Sequence, residues 1–262
     1  MLAIIADSHI VPGTPSETAF RAMLDWLSTT DCDVAFLGDI MELWIGLPRY
    51  ENSSQRHFLK WCQEQREQRD IYFVEGNHEY FVLRHHRRCF TGSAADALLL
   101  PRWKVLLTHG DDLPGIASAA HRRFRWWCKS PLAHFLLSWM PWAPAYVRHL
   151  KRKLEHAASK RKFHFESAAL SQTATRQLRH DGLRALFYGH FHRGYIERRR
   201  NARLFAVLPA WKEKGEIGLY DPEANRLLIR PWTALAAAAP SPDRCTTLQS
   251  PAFSPITVPS PK

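Results

Sequence analysis

The 262-residue sequence predicts an α/β sandwich that a helical insertion interrupts. Short apolar runs alternate with segments of helical periodicity, which is typical of this class. Because 45% of the residues are hydrophobic and 23% are charged, the chain can bury a sizeable core, and disordered and fibrous proteins are excluded. A basic, tryptophan-rich stretch breaks the alternation and predicts the insertion.

Five apolar runs predict the strands that lead toward a site. They are Met1–Ala6, Cys32–Leu37, Ile71–Val74, Val105–Leu107 and Leu183–Tyr188. The first run has no basic stretch before it, so we expect a strand there and not a secretory signal. All apolar stretches are far shorter than the roughly 20 residues of a membrane span, which argues against an integral membrane protein.

Two segments between these runs have helical periodicity. In Ser16–Ser28 we expect Ser16 to cap the helix, with one apolar face formed by Phe20, Met23, Leu24 and Leu27. Gln55–Gln68 predicts a second helix. Five scattered cysteines without a C-x-x-C pair indicate reduced thiols, and hence a cytoplasmic protein.

Residues 113–181 predict a helical lid inserted between core segments 1–112 and 182–232. Eleven lysines and arginines but one acid, Glu155, lie between His121 and Phe165, a net charge of +10 within a chain of +11. This segment is therefore where an anionic partner would bind. Prolines cut it into short helices, and its tryptophans are Trp126, Trp127, Trp139 and Trp142.

The C-terminal part predicts hairpin strands followed by a tail. The strands are Leu204–Leu208, Gly215–Tyr220 and Leu227–Ile229, with Asp221-Pro222 as a turn. From Thr233 onward the composition shifts to Ala, Pro, Ser and Thr, so we expect residues 233–262 to be disordered.

Polar residues follow each of the five predicted strands, at the sheet edge where the functional sites of α/β proteins form. They are Asp7-Ser8-His9, Gly38-Asp39, Gly76-Asn77-His78-Glu79, His109-Gly110-Asp111 and Gly189-His190-Phe191-His192. Carboxylate, amide and imidazole donors without thiolates favour Mn²⁺ or Fe²⁺ over structural zinc. The donors are too many for one ion and suit two ions that share a carboxylate. The alternative is that each histidine is a separate, hydrogen-bonded structural residue.

These blocks, in this order, resemble the calcineurin-like metallophosphoesterases over residues Met1–Ile229. The resemblance implies an αββα sandwich and two divalent ions. It implies that Asp7, His9 and His192 bind one ion and that Asn77, His109 and His190 bind the other. It further implies that Asp39 bridges both and that His78 donates to a phosphoryl oxygen or to the leaving group. Glu79 is expected to orient His78.

The flanking segments resemble a narrower family, the UDP-2,3-diacylglucosamine pyrophosphohydrolases of lipid A synthesis. The similar blocks are Gly38-Asp39-Ile40-Met41-Glu42-Leu43-Trp44-Ile45-Gly46, Val207-Leu208-Pro209-Ala210-Trp211 and Phe124-Arg125 with Lys129-Ser130-Pro131. This resemblance implies cleavage of a pyrophosphate to lipid X and UMP, with Mn²⁺ as cofactor. It also implies that Asn77, His78, His190, Ser159 and Lys160 bind the substrate. His78 stands where that family usually has Arg.

The lid offers apolar surface and positive charge together, as an acylated nucleotide-sugar requires. Its aromatic and aliphatic residues can line an acyl groove, and its cations can meet phosphates or an anionic membrane surface, which predicts a peripheral protein at the inner face of the membrane. The alternative is a cap whose tryptophans pack inside.

Two other functions remain open at this stage. The first is a metallophosphoesterase, a phosphodiesterase or phosphatase, acting on another lipid-linked or soluble nucleotide. The second is nucleic-acid binding by the basic segment, which we do not expect because it would leave the seven ligand-type residues without a role. The oligomeric state is open.

Overall fold

The computed structural model describes residues 1–113, 119–157, 167–180, 182–199 and 202–238. Its strands are β1 (Leu2–Ile5), β2 (Asp33–Leu37), β3 (Trp44–Ile45), β4 (Ile71–Val74), β5 (Glu79–Tyr80), β6 (Gly92–Ala94), β7 (Ala97–Leu100), β8 (Val105–Thr108), β9 (Ala185–Tyr188), β10 (Tyr195–Arg198), β11 (Leu204–Val207), β12 (Glu216–Asp221) and β13 (Arg226–Pro231). Short 3-10 turns occupy Pro48–Tyr50 and Arg87–Cys89.

The helices are distributed along the whole described chain. They are α1 (Pro15–Ser28), α2 (Ser53–Gln65), α3 (Val82–His86), α4 (Ala119–Cys128), α5 (Pro131–Trp139), α6 (Ala143–Ala157), α7 (Ser167–His180), α8 (Trp211–Lys214) and α9 (Trp232–Ala238).

Two sheets carry the core. The first has six strands in the order β13-β12-β1-β2-β4-β6, and the second has five in the order β10-β11-β9-β8-β7. Strands β1, β2, β4 and β6 run parallel, as do β8, β9 and β11. The remaining strands of both sheets pair antiparallel at their outer sides. A two-stranded pair, β3-β5, lies apart from them.

Alternation along the strands builds the layers, because successive side chains of a strand point to opposite faces. Leu2 and Ile4 of β1 pack between the two sheets, whereas Ala3 and Ile5 pack beneath α1 and α2. On the outer face of the second sheet, Leu170 of α7 is buried in the same apolar cluster as sheet residues. The predicted αββα sandwich is therefore confirmed.

Helix α2 begins where its capping residues place it. The Asn52 side chain accepts from the Gln55 backbone N–H at 3.0 Å, and the Gln55 side chain accepts from the Asn52 N–H at 3.0 Å. The helix therefore runs over Ser53–Gln65, slightly before the predicted Gln55–Gln68.

Helix α1 confirms the predicted apolar face, since Phe20, Met23, Leu24 and Leu27 are all buried. The predicted cap at Ser16 is wrong. The helix starts at Pro15, whose fixed φ suits the first turn, and Thr14 occupies the N-cap position without a side-chain capping bond.

The C-terminal strands divide between the two sheets. The predicted β12–β13 hairpin around Asp221 is confirmed. Leu204–Val207, however, pairs in parallel with β9 of the second sheet, because the chain returns across the sandwich before the hairpin begins. The short strands β3, β5, β6, β7 and β10 lack a strong apolar alternation and were not predicted.

The predicted lid and tail each differ in part from the structure. Helix α7, the last part of the predicted insertion 113–181, packs on the second sheet. The tail predicted from Thr233 begins with helix α9, whose Trp232 and Leu235 pack against the core, while residues 239–262 lie outside the described residues. Within the described ranges, no helix has both the length and the apolar character needed to cross a bilayer.

Candidate metal centre

The loops that follow five parallel strands converge at one edge of the sandwich. Strand register aligns the ends: Ile5 pairs with Phe36, and Leu37 pairs with Val74 in the first sheet. Thr108 pairs with Tyr188 in the second sheet. Because parallel strands present their carboxyl ends at the same edge, the polar residues of all five loops meet there.

Several ligand-type residues adopt left-handed backbone conformations, which L-residues rarely do. The φ angles are 52° at Asp7, 44° at His9, 53° at Asp39, 68° at His190 and 54° at His192. Such conformations cost of order 1–3 kcal/mol each and persist where the surroundings over-determine them, typically at functional sites.

One cluster joins the first and last loops. His9 Nε2 lies 3.3 Å from His192 Nε2, and His192 Nε2 lies 3.5 Å from Asp7 Oδ1. The second Asp7 oxygen, Oδ2, accepts a hydrogen bond from the His190 backbone N–H at 2.8 Å. The D-x-H and H-x-H blocks are thus brought together from opposite sheets.

A second cluster lies beside the first. His109 Nε2 is 3.2 Å from Asn77 Oδ1 and 3.5 Å from Asp39 Oδ2, and the His190 ring is 5.1 Å from the His109 ring. Asp39 Oδ2 is also 3.8 Å from His9 Nε2. The Asp39 carboxylate therefore stands between the two clusters.

Ring orientation at His109 is fixed by the neighbouring strand. Its Nδ1 donates to the backbone carbonyl of Leu37 at 2.7 Å. This bond leaves Nε2 directed at Asp39 and Asn77, which is how an outer hydrogen bond orients a histidine for a metal.

Charges in the buried site perturb one another. Burial raises the pKa of Asp39, but the neighbouring His78 and His109 outweigh it and hold that pKa well below its usual value. Burial lowers the pKa of His109, but the Asp39 carboxylate outweighs it and raises that pKa to about 10. Burial and the neighbouring His109 lower the pKa of His190 to about 4.

The residues fit a pair of divalent ions. Three overlapping groups have ligand atoms within 4.8 Å of one another: Asp7–His9–His192, Asp7–Asp39–His109 and His9–Glu42–His78. Among the described residues, the buried Asp7 Oδ1 accepts no hydrogen bond, a costly state that a cation would relieve. These groups and the buried Asp7 oxygen together fit divalent metal ions.

Glu42 is a site residue that the sequence reasoning missed. Its carboxylate Oε2 lies 3.4 Å from His9 Nδ1, and its backbone carbonyl accepts from His78 Nδ1. His78 Nε2 is then turned toward Asp39, at 4.0 Å. Glu42 stands in the block that begins at Gly38, so that block was the available signal.

Glu79 does not orient His78 as expected. Its carboxylate accepts from three backbone N–H groups, those of Gly76 at 2.7 Å, Ile40 at 2.8 Å and Asp39 at 3.0 Å. Burial and the Asp39 charge raise its pKa to about 8. The side chain therefore ties two metal-site loops together through their backbones.

All the predicted metal ligands and His78 converge in this one site, and their individual roles stay predictions. Ser159 and Lys160, the predicted substrate contacts of the lid, lie outside the described residues.

The chain is similar in sequence to known proteins. A model of the calcineurin-like phosphoesterase family matches residues 1–194. A Pseudomonas aeruginosa protein named UDP-2,3-diacylglucosamine hydrolase is 28% identical over 72% of this chain and 80% of its own length. Proteins of the same name are 24% identical in Shewanella loihica, over 87% of this chain and 96% of that protein, and 26% identical in Yersinia pestis, over 87% and 98%.

Proposed function

The chain belongs to the calcineurin-like phosphoesterase family, and from that premise we propose that it hydrolyses the pyrophosphate of UDP-2,3-diacylglucosamine to lipid X and UMP. The names of its relatives and the lid composition support this substrate. The observation that carries the proposal is the set of three overlapping metal-type groups at the converging strand ends.

We assign two divalent ions, Mn²⁺ by the donor set, to this site. Asp7, His9 and His192 would hold one ion, Asn77, His109 and His190 would hold the other, and the Asp39 carboxylate would be shared by both. When bound, the ions supply Lewis acidity at phosphorus and lower the pKa of an attacking water.

The protein supplies a proton donor beside the ions. His78 Nδ1 donates to the Glu42 carbonyl, and its Nε2 lies on the side of Asp39, 4.0 Å from Asp39 Oδ2. From there Nε2 donates a proton to a phosphoryl oxygen or to the leaving group. Asn77 and His190, next to the same atoms, complete the proposed phosphate contacts.

The lid supports an acylated substrate through its exposed aromatic side chains. Trp126 is 75% exposed and Trp139 is 73% exposed, with Phe124 and Phe135 also exposed nearby. A cavity of about 410 Å³ lined by Arg122 and Trp126, among other residues, lies where α4 meets the core. Apolar and cationic surface together suit acyl chains and an anionic bilayer, so we propose peripheral binding at the cytoplasmic membrane face.

The direct test is product analysis. The protein is incubated with UDP-2,3-diacylglucosamine and Mn²⁺, and we expect UMP and lipid X. Absence of UMP, together with efficient turnover of bis(p-nitrophenyl) phosphate, would overturn the substrate but retain the metal centre.

His78 favours a second candidate, a metallophosphoesterase that acts on another lipid-linked or soluble nucleotide. It replaces the Arg that the narrower family usually carries in this block. Equal kcat/KM for acylated and deacylated substrates would favour this candidate, because the acyl chains would then contribute no binding energy.

A further inference from the structure

Two basic side chains of the lid point into the core and not toward a ligand. Lys129 follows the end of α4, and its backbone N–H donates to the Arg125 carbonyl at 3.0 Å. The helical turn therefore continues, and Arg125 and Lys129 lie on one face. We call this pair the α4 clamp.

Arg125 forms ion pairs and a hydrogen bond with residues around the loop that carries His109. Its Nε lies 2.6 Å from Asp111 Oδ2, its Nη1 lies 2.7 Å from Asp96 Oδ1, and its Nη2 donates to the Ala95 carbonyl at 3.0 Å. The Arg125 side chain is 11% exposed, although its neighbour Trp126 is largely exposed. Asp111 stands two residues after His109, so the ion pair holds this loop from outside.

Lys129 forms an ion pair and a hydrogen bond with the loop that carries Asn77. Its Nζ lies 3.1 Å from Glu75 Oε2 and donates to the Gly76 carbonyl at 3.2 Å. The other Glu75 oxygen accepts from the Leu83 N–H at 2.9 Å, so the carboxylate is held at both oxygens. Gly76 directly precedes Asn77.

The loops that carry Asn77 and His109 meet inside the site. His109 Nε2 lies 3.2 Å from Asn77 Oδ1, and the backbone at Gly76 closely approaches the Asp39 carboxylate. A shift of either loop would therefore move one of the ligands assigned to the second ion or displace the bridging carboxylate.

We propose that Arg125 and Lys129 are positioning residues that hold the Asn77 and His109 loops in metal-binding geometry, so that docking of α4 raises the metal affinity of the centre. This rests on the metal centre of the proposed function, not on its lipid substrate. The nitrogens of both side chains already contact core acceptors, which is why they act on the loops and not on a substrate phosphate.

The test measures metal binding without substrate. The apo forms of the wild type and of Lys129→Met are titrated with Mn²⁺ by calorimetry. Met has a side chain of nearly the same length as Lys but carries no charge. We expect one of the two ions to bind about 10–100-fold more weakly in Lys129→Met, the usual effect of losing an outer-shell partner. Lys129→Arg should retain most of the affinity because it keeps the ion pair.

Arg123→Met is the matched control, since Arg123 is exposed on the same helix. It removes an equal charge and should leave Mn²⁺ affinity unchanged. If Lys129→Met fails to fold, as judged by thermal melting, Glu75→Gln provides the second variant, because the amide oxygen still accepts from Leu83 and only the charge is lost. Glu75→Gln should lower the Mn²⁺ affinity at the same ion site. If the variant that combines Lys129→Met with Glu75→Gln folds, its Mn²⁺ affinity should be no lower than that of the weaker-binding single variant.

Unchanged Mn²⁺ affinity in folded Lys129→Met and Glu75→Gln overturns the proposal, as does an equal loss in Arg123→Met. Hydrolysis of bis(p-nitrophenyl) phosphate at limiting Mn²⁺ should follow the affinities. If the wild type binds two ions but releases no UMP, the proposed lipid substrate is refuted and the proposed role of the α4 clamp is retained. A wild type that binds no ion refutes the metal centre itself.

Discussion

The metal-type residues are held by backbone contacts as much as by their own side chains. Asp7 N–H donates to the Gly38 carbonyl at 3.1 Å, and His9 N–H donates to the Asp39 carbonyl at 2.9 Å. These cross-strand bonds sustain the left-handed conformations of the ligand residues, which would otherwise relax. The backbone therefore fixes the positions of these metal-type residues.

Gly76 offers a test of this close packing. A Cβ at this position would lie 2.1 Å from Asp39 Oδ1 and 2.6 Å from the Asp39 backbone N. Gly76→Ala should therefore displace the Asp39 carboxylate and lower kcat roughly 100-fold, as expected for a displacement of about 1 Å. The measurement is kcat on bis(p-nitrophenyl) phosphate together with bound Mn²⁺.

Gly194→Ala is the control for that substitution. A Cβ at Gly194 would lie 3.7 Å from Pro209, an ordinary contact. Full activity in Gly76→Ala would show that the Asp39 carboxylate can move without consequence.

His78 can be tested by the choice of leaving group. His78→Ala should lower kcat about 10²–10⁴-fold if the ring donates a proton. The loss should be larger for a phenyl ester than for a p-nitrophenyl ester, because phenolate is the poorer leaving group. An equal loss for both esters would instead assign His78 to a phosphoryl oxygen.

At the scale of elements, α1 and α2 are joined by one carboxylate. Glu17 of α1 accepts from Ser54 of α2 at 2.6 Å, from the Gly13 N–H at 2.7 Å and from Arg21 at 2.7 Å. The Ser54 hydrogen bond, followed by these other donors, lowers the pKa of Glu17 from 4.5 to about 2. Both helices cover the sheet that carries Asp7 and Asp39.

Glu17 should therefore contribute pH-dependent stability. Since its folded pKa lies below its unfolded value, the stabilisation is present above about pH 4.5 and is lost as the pH falls toward 2. Glu17→Gln should lower Tm by roughly 2–4 °C at pH 7, and the difference from the wild type should shrink at pH 3.

Glu64→Gln is the matched control for this carboxylate. Glu64 pairs with Lys60 at the surface, where both side chains are largely exposed, so its Tm should hardly change. A difference between Glu17→Gln and the wild type that stays constant from pH 7 to pH 3 would contradict the assignment.

At the scale of the whole molecule, the lid divides its chemistry between two directions. Arg125 and Lys129 face the core carboxylates, whereas Trp126 and Trp139 face outward. The charge of the segment is thus partly used for docking, and the apolar surface remains available for a ligand. Contiguous exposed apolar surface is typical of interaction sites, which is why we assign these side chains to the proposed acylated substrate.

The outward tryptophans should matter for lipid substrates alone. Trp126→Ser and Trp139→Ser should each lower kcat/KM for UDP-2,3-diacylglucosamine roughly tenfold or more, from the apolar area no longer buried. Hydrolysis of bis(p-nitrophenyl) phosphate should be unchanged. Leu99→Ser, at an exposed position on β7, is the control, and an equal loss there would indicate a general effect of surface polarity.

Sequence reasoning found the metal-type residues because each follows an apolar strand in a short block of fixed spacing. Glu42 was not identified as a site residue because it lies four residues beyond Gly38, past the end of β2. At that distance from the strand, spacing alone does not tell which way a side chain points. Glu79 was assigned to the wrong partner for a similar reason. Its carboxylate accepts backbone N–H groups from a loop some 40 residues earlier.

The order of strands, the residue types at their ends and the composition of the lid are local properties, so they could be read directly from the chain. The meeting of five loops from two sheets, the inward turn of the α4 clamp and the packing of α7 depend on contacts between distant segments. Such contacts follow from burial and strand pairing across the folded molecule, and only the three-dimensional arrangement reveals them.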